Sequence, residues 1–258
     1  YIEFWKNFGA VLKEGIYEDP SRHEQILPLS RFHSTFSDEL ITLDEYVSRM
    51  HEKQDSIYFI SGDEINSLRS SPQLEGYVAR NLEVLILSDP VDEFWIPTVG
   101  NYKNKKFISV MRGDADLSEL PLDEKKDSNS ANPADLALLS ALIKQTLGDA
   151  VKNVRTSERL TTSPVCLVAD ESDPDRHLAR ILNQHGKLDK IAPGVLELNP
   201  DHNLIKLLSK SAKDSGNSVE LKDAAQILLD QAKILEGDLP ENPAEFAKRL
   251  TKLLEKNL

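Results

Sequence analysis

Apolar positions recur along this chain with two different periods, and the changes of period outline its organisation. Ile2, Phe4, Trp5, Phe8, Val11 and Leu12 follow a helical spacing, and Gly15 is expected to end that first helix. A second helix is expected after residues 18–21 (EDPS), with Ile26, Leu27, Leu29 and Phe32 as its apolar members, and residues 34–39 read as a loop. Thr42 followed three residues later by Glu45 has the form of a capping box, leading into Leu43, Tyr46, Val47 and Met50. The pattern then changes to short apolar runs at 56–61 (SIYFIS) and 82–87 (LEVLIL), with helical segments over 63–68 and 72–80 between them. Strand, helix and strand in that order predict a right-handed crossover and a buried parallel pair, with a third strand over 106–110.

Residues 114–135 are polar, charged and nearly free of large apolar groups, which is a linker composition. The expected division is a first α/β domain over 1–115, a linker over 116–134 and a second domain over 135–258. An amphipathic helix over 134–147 opens the second domain. Strands follow over 151–156, 165–169 and 195–198, with a helix over 175–185 between the last two. The fold class is therefore α/β in a broad sense (α+β), with two domains.

The chain closes on a predicted helix pair over 219–236 and 242–257. The first places Leu221, Ala224, Ala225, Leu228, Ala232 and Leu235 on one stripe, with Ile227 and Ile234 on a second and Leu229 widening the arc. A surface helix ordinarily carries one apolar stripe of about 100° or a little more. Two stripes imply two partners, and a second copy of the chain is the simplest outside partner, because a two-fold interface needs one self-complementary patch. Asn242, Pro243 and Glu245 open the second helix with a cap, a proline at its first position and an acid in its first turn.

Composition narrows the function classes. The 258 residues are 40% hydrophobic and 29% charged, and their formal net charge of −12 argues against nucleic-acid binding, which needs clustered cations. No apolar run approaches the roughly 18 residues of a membrane span, and a signal peptide is not expected. The single cysteine, Cys166, excludes a disulfide framework and fits a reducing, cytoplasmic setting. The first residue is Tyr1, inside a helix already under way, so the chain is expected to be a piece of a longer protein.

Catalytic chemistry is hard to find. Cys166 reads as a buried strand residue or as a nucleophile, but no histidine lies near it in sequence and its neighbours are apolar. The six histidines, His23, His33, His51, His177, His185 and His202, have no metal-ligand spacing. Asp92 and Glu93 are adjacent and point apart on a helix, the pattern of a solvated helix start. No glycine-rich phosphate loop occurs. Phe94 and Trp95 read either as core or as an exposed contact surface. Around residue 178 the helix over 175–185 carries Leu178, Ile181 and Leu182 on one face, which suits packing on a sheet or contact with a partner.

Several stretches resemble a known family. Residues 8–19 (FGAVLKEGIYED), 46–50 (YVSRM), 57–60 (IYFI), 71–75 (SPQLE) and 83–89 (EVLILSD) are similar to the middle domain of the heat-shock protein 90 chaperones. Residues 159–169 (RLTTSPVCLVA), 196–202 (LELNPDH) and 228–232 (LLDQA) resemble that family's C-terminal domain, and the likeness is strongest to its bacterial, HtpG-type branch. The ending at 255–258 (EKNL) lacks the acidic pentapeptide with which eukaryotic cytosolic members recruit co-chaperones.

The resemblance implies a homodimeric chaperone, active in the heat-shock response, that binds unfolded or partly folded client proteins. Its ATP and magnesium would bind upstream of this fragment, so the fragment itself is expected to have no cofactor, no metal and no enzymatic activity. A four-helix bundle across the dimer would use Leu221, Ala224, Leu228, Ala232 and Leu235 with Phe246, Leu250, Leu253 and Leu254. Client contact would fall on Glu93, Phe94 and Trp95 and on Pro174, Leu178, Ile181 and Leu182. Pro97 stands where relatives carry an amide, and Pro174 and Leu178 stand where relatives often carry methionine, a more adaptable side chain. Against this reading stand a small hydrolase built on Cys166 or on Asp92 and Glu93, and a purely structural dimerisation scaffold without client contact. Co-chaperones are further possible partners; nucleic acid and membrane are not expected.

Overall fold

The computed structural model describes residues 1–113, 117, 120, 130–216 and 218–255. In chain order its elements are α1 (Ile2–Glu18), α2 (His23–Ile26), β1 (His33–Ser34), α3 (Leu43–Arg49), β2 (Ser56–Ser61), α4 (Ile65–Arg69), α5 (Glu75–Val78), β3 (Leu85–Leu87), α6 (Asp92–Val99), β4 (Asn101–Tyr102), β5 (Lys105–Ser109), α7 (Pro133–Leu147), β6 (Asn153–Thr156), β7 (Val165–Val168), α8 (Arg176–Gln184), β8 (Val195–Leu198), α9 (Asn203–Ser215), α10 (Val219–Leu235) and α11 (Pro243–Glu255). The mixed α/β class expected from the sequence is what these elements form. They divide into two compact units, one of residues 1–70, 77–123 and 175–190, the other of 71–76, 124–174 and 191–258. The linker expected over 116–134 falls largely outside the described residues.

The first unit is built on a five-stranded sheet of order β1-β3-β2-β5-β4. Central β2 runs parallel to β3 and to β5, while the short edge strands pair antiparallel. All six residues of β2 are buried, which is why its central run, Ile57 to Ile60, carries large side chains on both faces and does not alternate. Lys103 and Asn104, both at positive φ, close the hairpin between β4 and β5 as a two-residue turn. Trp95, Phe32, Leu43, Tyr46, Ile57 and Leu85 lie in its core. The Thr42 capping box forms as expected: Thr42 accepts from the Glu45 backbone, and the Glu45 carboxylate accepts from Thr42 N–H at 2.7 Å. Gly15 does not end α1, which runs on to Glu18. A Cβ at Gly15 would approach the Ile26 side chain at 3.3 Å, so the glycine serves close packing inside the helix.

The second unit has a three-stranded sheet with β8 in the centre, parallel to β6 and antiparallel to β7. Leu136, Leu139, Ile143 and Leu147 of α7 meet Ile205 of α9, Leu221, Leu228 and Leu229 of α10, and Leu167, Leu196 and Leu198 of the sheet. Asn132 caps α7 by accepting from Ala134 N–H at 2.9 Å. The helix expected over 175–185 forms as α8 and groups with the first unit, although the strands flanking it in sequence belong to the second. Helix α9 had no counterpart in the sequence reading.

Candidate interaction surfaces

Helix α6 shows what its aromatic pair does. Successive residues on a helix point about 100° apart, so Trp95 and Phe94 diverge. Trp95 turns inward and is fully buried, packed edge-on against Phe107 at 5.4 Å and near Phe32 at 5.9 Å. Its indole Nε1 donates to Asp92 Oδ1 at 2.6 Å. Phe94 is half-buried beside Tyr17, with ring centroids 5.9 Å apart. An exposed contact through Trp95 is thus excluded in this fold, because the ring is spent on the core.

Asp92 and Glu93 are both buried, which overturns the expected solvated helix start. Asp92 and Asp89 receive the buried Lys13 ammonium of α1, at 2.9 and 2.7 Å. Burial alone would lower the Lys13 pKa, but the Asp92 and Asp89 carboxylates outweigh it and hold it above the ordinary value. Glu93, on the adjacent face, accepts from His177 of α8 across 2.8 Å, and the other ring nitrogen of His177 faces Asp63 at 3.3 Å. Desolvation opposes charge on His177, yet the hydrogen bond and the charge of Glu93 prevail and raise its pKa.

Helix α8 begins at Asp175, whose carboxylate caps the His177 N–H at 3.0 Å and accepts from the Ser109 hydroxyl at the end of β5. Burial, reinforced by the nearby Glu93 charge, lifts the Asp175 carboxyl to about 6. Leu178, Ile181 and Leu182 are half-buried along α8, and Pro174 is exposed. Sequence reading missed the roles of His177, Asp63 and Ser109. Glu93 and Asp63 stand 84 and 114 positions from His177, so no spacing motif could have joined them.

The terminal helices divide their apolar residues in an unexpected way. Leu221, Leu228 and Ala232, expected at a dimer contact, are 1–2% exposed in the protomer's own core, together with Ala225 and Leu229. Ala224 and Phe246 are half-buried. Leu235, Leu250, Leu253 and Leu254 are 39–54% exposed, and none of the described residues of α11 is buried. Polar ties to α10 hold α11 in place: Lys252 Nζ lies 2.7 Å and Arg249 Nε 3.9 Å from the Asp223 carboxylate. Most of the stripe assigned from periodicity thus faces inward, Leu235 excepted, and the large exposed apolar side chains of α10 and α11 are Val219, Ile234, Leu235, Leu250, Leu253 and Leu254.

Cys166 is buried on β7, and desolvation with the neighbouring Glu197 charge pushes its thiol well above the ordinary range, the opposite of an activated nucleophile. Among the described residues, no group of three or more His, Cys, Asp or Glu side chains is arranged to hold a metal ion. No described helix is long and apolar enough to cross a membrane.

A family model described as Hsp90 protein matches residues 1–258. The chain belongs to the Hsp90 family. Similar relatives within it include the chaperone protein HtpG of Roseobacter denitrificans, 48% identical over 262 residues, and that of Paramagnetospirillum magneticum, 49% identical over 261. Both alignments cover 100% of this chain and 42% of the relative. The HtpG of Wolbachia pipientis wMel is 42% identical over 261 residues, covering 99% of this chain and 41% of the relative. This Hsp90-family chain therefore spans about two fifths of the length of the curated relatives it matches.

Proposed function

We propose that this chain is the dimerising and client-contacting portion of a bacterial, cytoplasmic Hsp90-type chaperone, comprising the distal part of a middle domain and a C-terminal dimerisation domain. ATP and magnesium bind, on this reading, in a part of the parent protein outside the chain. The chain acts by contact, not by catalysis. The observation that carries the reading is the exposed leucine set of α11, a helix of 13 residues with no described residue in the core. A helix that short is marginal in water without tertiary packing. Two copies covering each other's Leu235, Leu250, Leu253 and Leu254, with Phe246 and Ala224 at the margin, would supply that packing.

Client contact falls on the half-buried stripe Leu178, Ile181 and Leu182 of α8, with Pro174 and Phe94 as further apolar positions. Apolar groups set among charged neighbours suit partly folded chains, whose exposed side chains share hydrophobicity but no sequence. Dimerisation adds effective concentration, making later encounters between the two arms of the parent intramolecular. The hydrolase alternative is opposed by the burial of Cys166. A scaffold without client contact is the competitor that experiment separates. The chain should suppress light scattering from a thermally unfolding test protein, and a Leu178→Ser, Ile181→Ser variant should lose most of that effect. Equal suppression by both proteins would reject client contact on α8.

A further inference from the structure

In open sheets of parallel strands, ligands commonly sit beyond the carboxyl ends of the strands, where the strand order reverses. In the first unit that position is at β2 and β5, since β3 lies on one side of β2 and β5 on the other. The carboxyl ends there are Ser61 and Ser109. The chain's own α8 occupies the place. Asp175 takes the Ser109 hydroxyl, and His177 is gripped between Glu93 Oε1 at 2.8 Å and Asp63 Oδ1 at 3.3 Å. Helix α8 is thus seated like an intramolecular ligand by its first turn, and its apolar residues Leu178, Ile181 and Leu182 follow directly from that seat.

We infer that Glu93 and His177 are positioning residues for client contact: Glu93 fixes α8 through His177 and does not itself touch the client. This rests on the client reading of α8 given above. The Glu93 and His177 side chains are 6% and 3% exposed. A client group reaching Glu93 would have to displace His177 and leave two buried polar groups without their mutual bond, which is costly. A hydrogen bond between them, by contrast, fixes the direction in which the apolar face of α8 is presented.

A double-mutant cycle tests this on the whole chain, with fluorescein-labelled, reduced and alkylated α-lactalbumin as the probe and anisotropy as the readout. Glu93→Ala and His177→Ala should each weaken binding by about tenfold, the loss of one charge-assisted hydrogen bond. The double variant should bind no more weakly than His177→Ala alone, because that change already removes the contact with Glu93. Glu93→Gln, which keeps an acceptor, should restore most of the affinity. Amide exchange in α8 should quicken in Glu93→Ala, with exchange in β2 unchanged. Multiplying losses in the double variant, or weakened binding with unaltered exchange in α8, would overturn the positioning role while leaving the client reading intact. No binding of the probe by the unaltered chain would overturn the client reading, and the positioning role with it.

Discussion

Lys13 of α1 and Asp92 of α6 meet at 2.9 Å with side chains only 4% and 1% exposed. The ammonium also reaches Asp89 at 2.7 Å, and Asp92 accepts from the Trp95 indole, so one buried carboxylate ties the first helix to the aromatic core. Removing one member of such a pair leaves an uncompensated charge in a low-dielectric interior. Lys13→Met is expected to destabilise the first unit by about 3–5 kcal/mol. Lys13→Met combined with Asp92→Asn should recover part of that loss. Urea unfolding followed by tryptophan fluorescence reads this unit alone, since Trp5 and Trp95 are the chain's only tryptophans and both lie in it. A loss below about 1 kcal/mol, the scale of an exposed pair, would count against the buried linkage.

Within the second unit, Glu75 accepts from the backbone N–H groups of Thr161, Thr162 and Ser163 at 2.7, 2.8 and 3.0 Å. Burial works against its ionised form, but the Ser163 bond and the neighbouring N–H donors outweigh it, so its carboxyl titrates below the ordinary range. A carboxyl with a depressed folded pKa contributes stability that is present above its unfolded pKa and lost as pH falls through the folded value. Stability of the second unit should therefore decline on acidification below the usual glutamate range, and Glu75→Gln should flatten that part of the profile. An unchanged acid limb in the variant would assign the decline to other carboxylates. Gly76→Ala makes a companion test: a Cβ there would lie 2.8 Å from the Arg159 backbone, and a clearly lower melting temperature is expected.

Cys166 is 3% exposed, with its thiol pKa raised by burial. Iodoacetamide at neutral pH should leave it unmodified in the native chain and alkylate it rapidly in urea, as mass spectrometry of the intact protein would show. Fast native alkylation would revive the nucleophile reading.

Much of the fold was legible because local chemistry and tertiary demand agree. Thr42 with Glu45, and Asn242 ahead of Pro243, announce helix starts by residue type, and Asn242 Oδ1 does accept from Glu245 N–H at 3.2 Å. The runs at 56–61 and 82–87 read as buried strands because nothing polar interrupts their apolar centres. Other features depend on contacts that sequence does not order. Helix α9 was missed because its lysines and serines mask an inward line of Ile205, Ser209 and Ala212. The doublet Phe94 and Trp95 looked ambiguous because one residue faces each way. In α10 periodicity found the right stripe but could not tell whether the core or a second copy covers it. His177 looked isolated because the residues that hold it come from distant elements.

On the proposed function, a second copy of the chain covers the exposed leucines of the last two helices. Sedimentation equilibrium at micromolar concentration tests it most directly, comparing the unaltered chain with a Leu250→Asp, Leu254→Asp variant whose changes leave the protomer core untouched. The unaltered chain should sediment with a mass near twice 29.0 kDa, and the variant with a mass near 29.0 kDa. A monomer in both would contradict dimerisation, and a dimer in both would contradict its placement on α11.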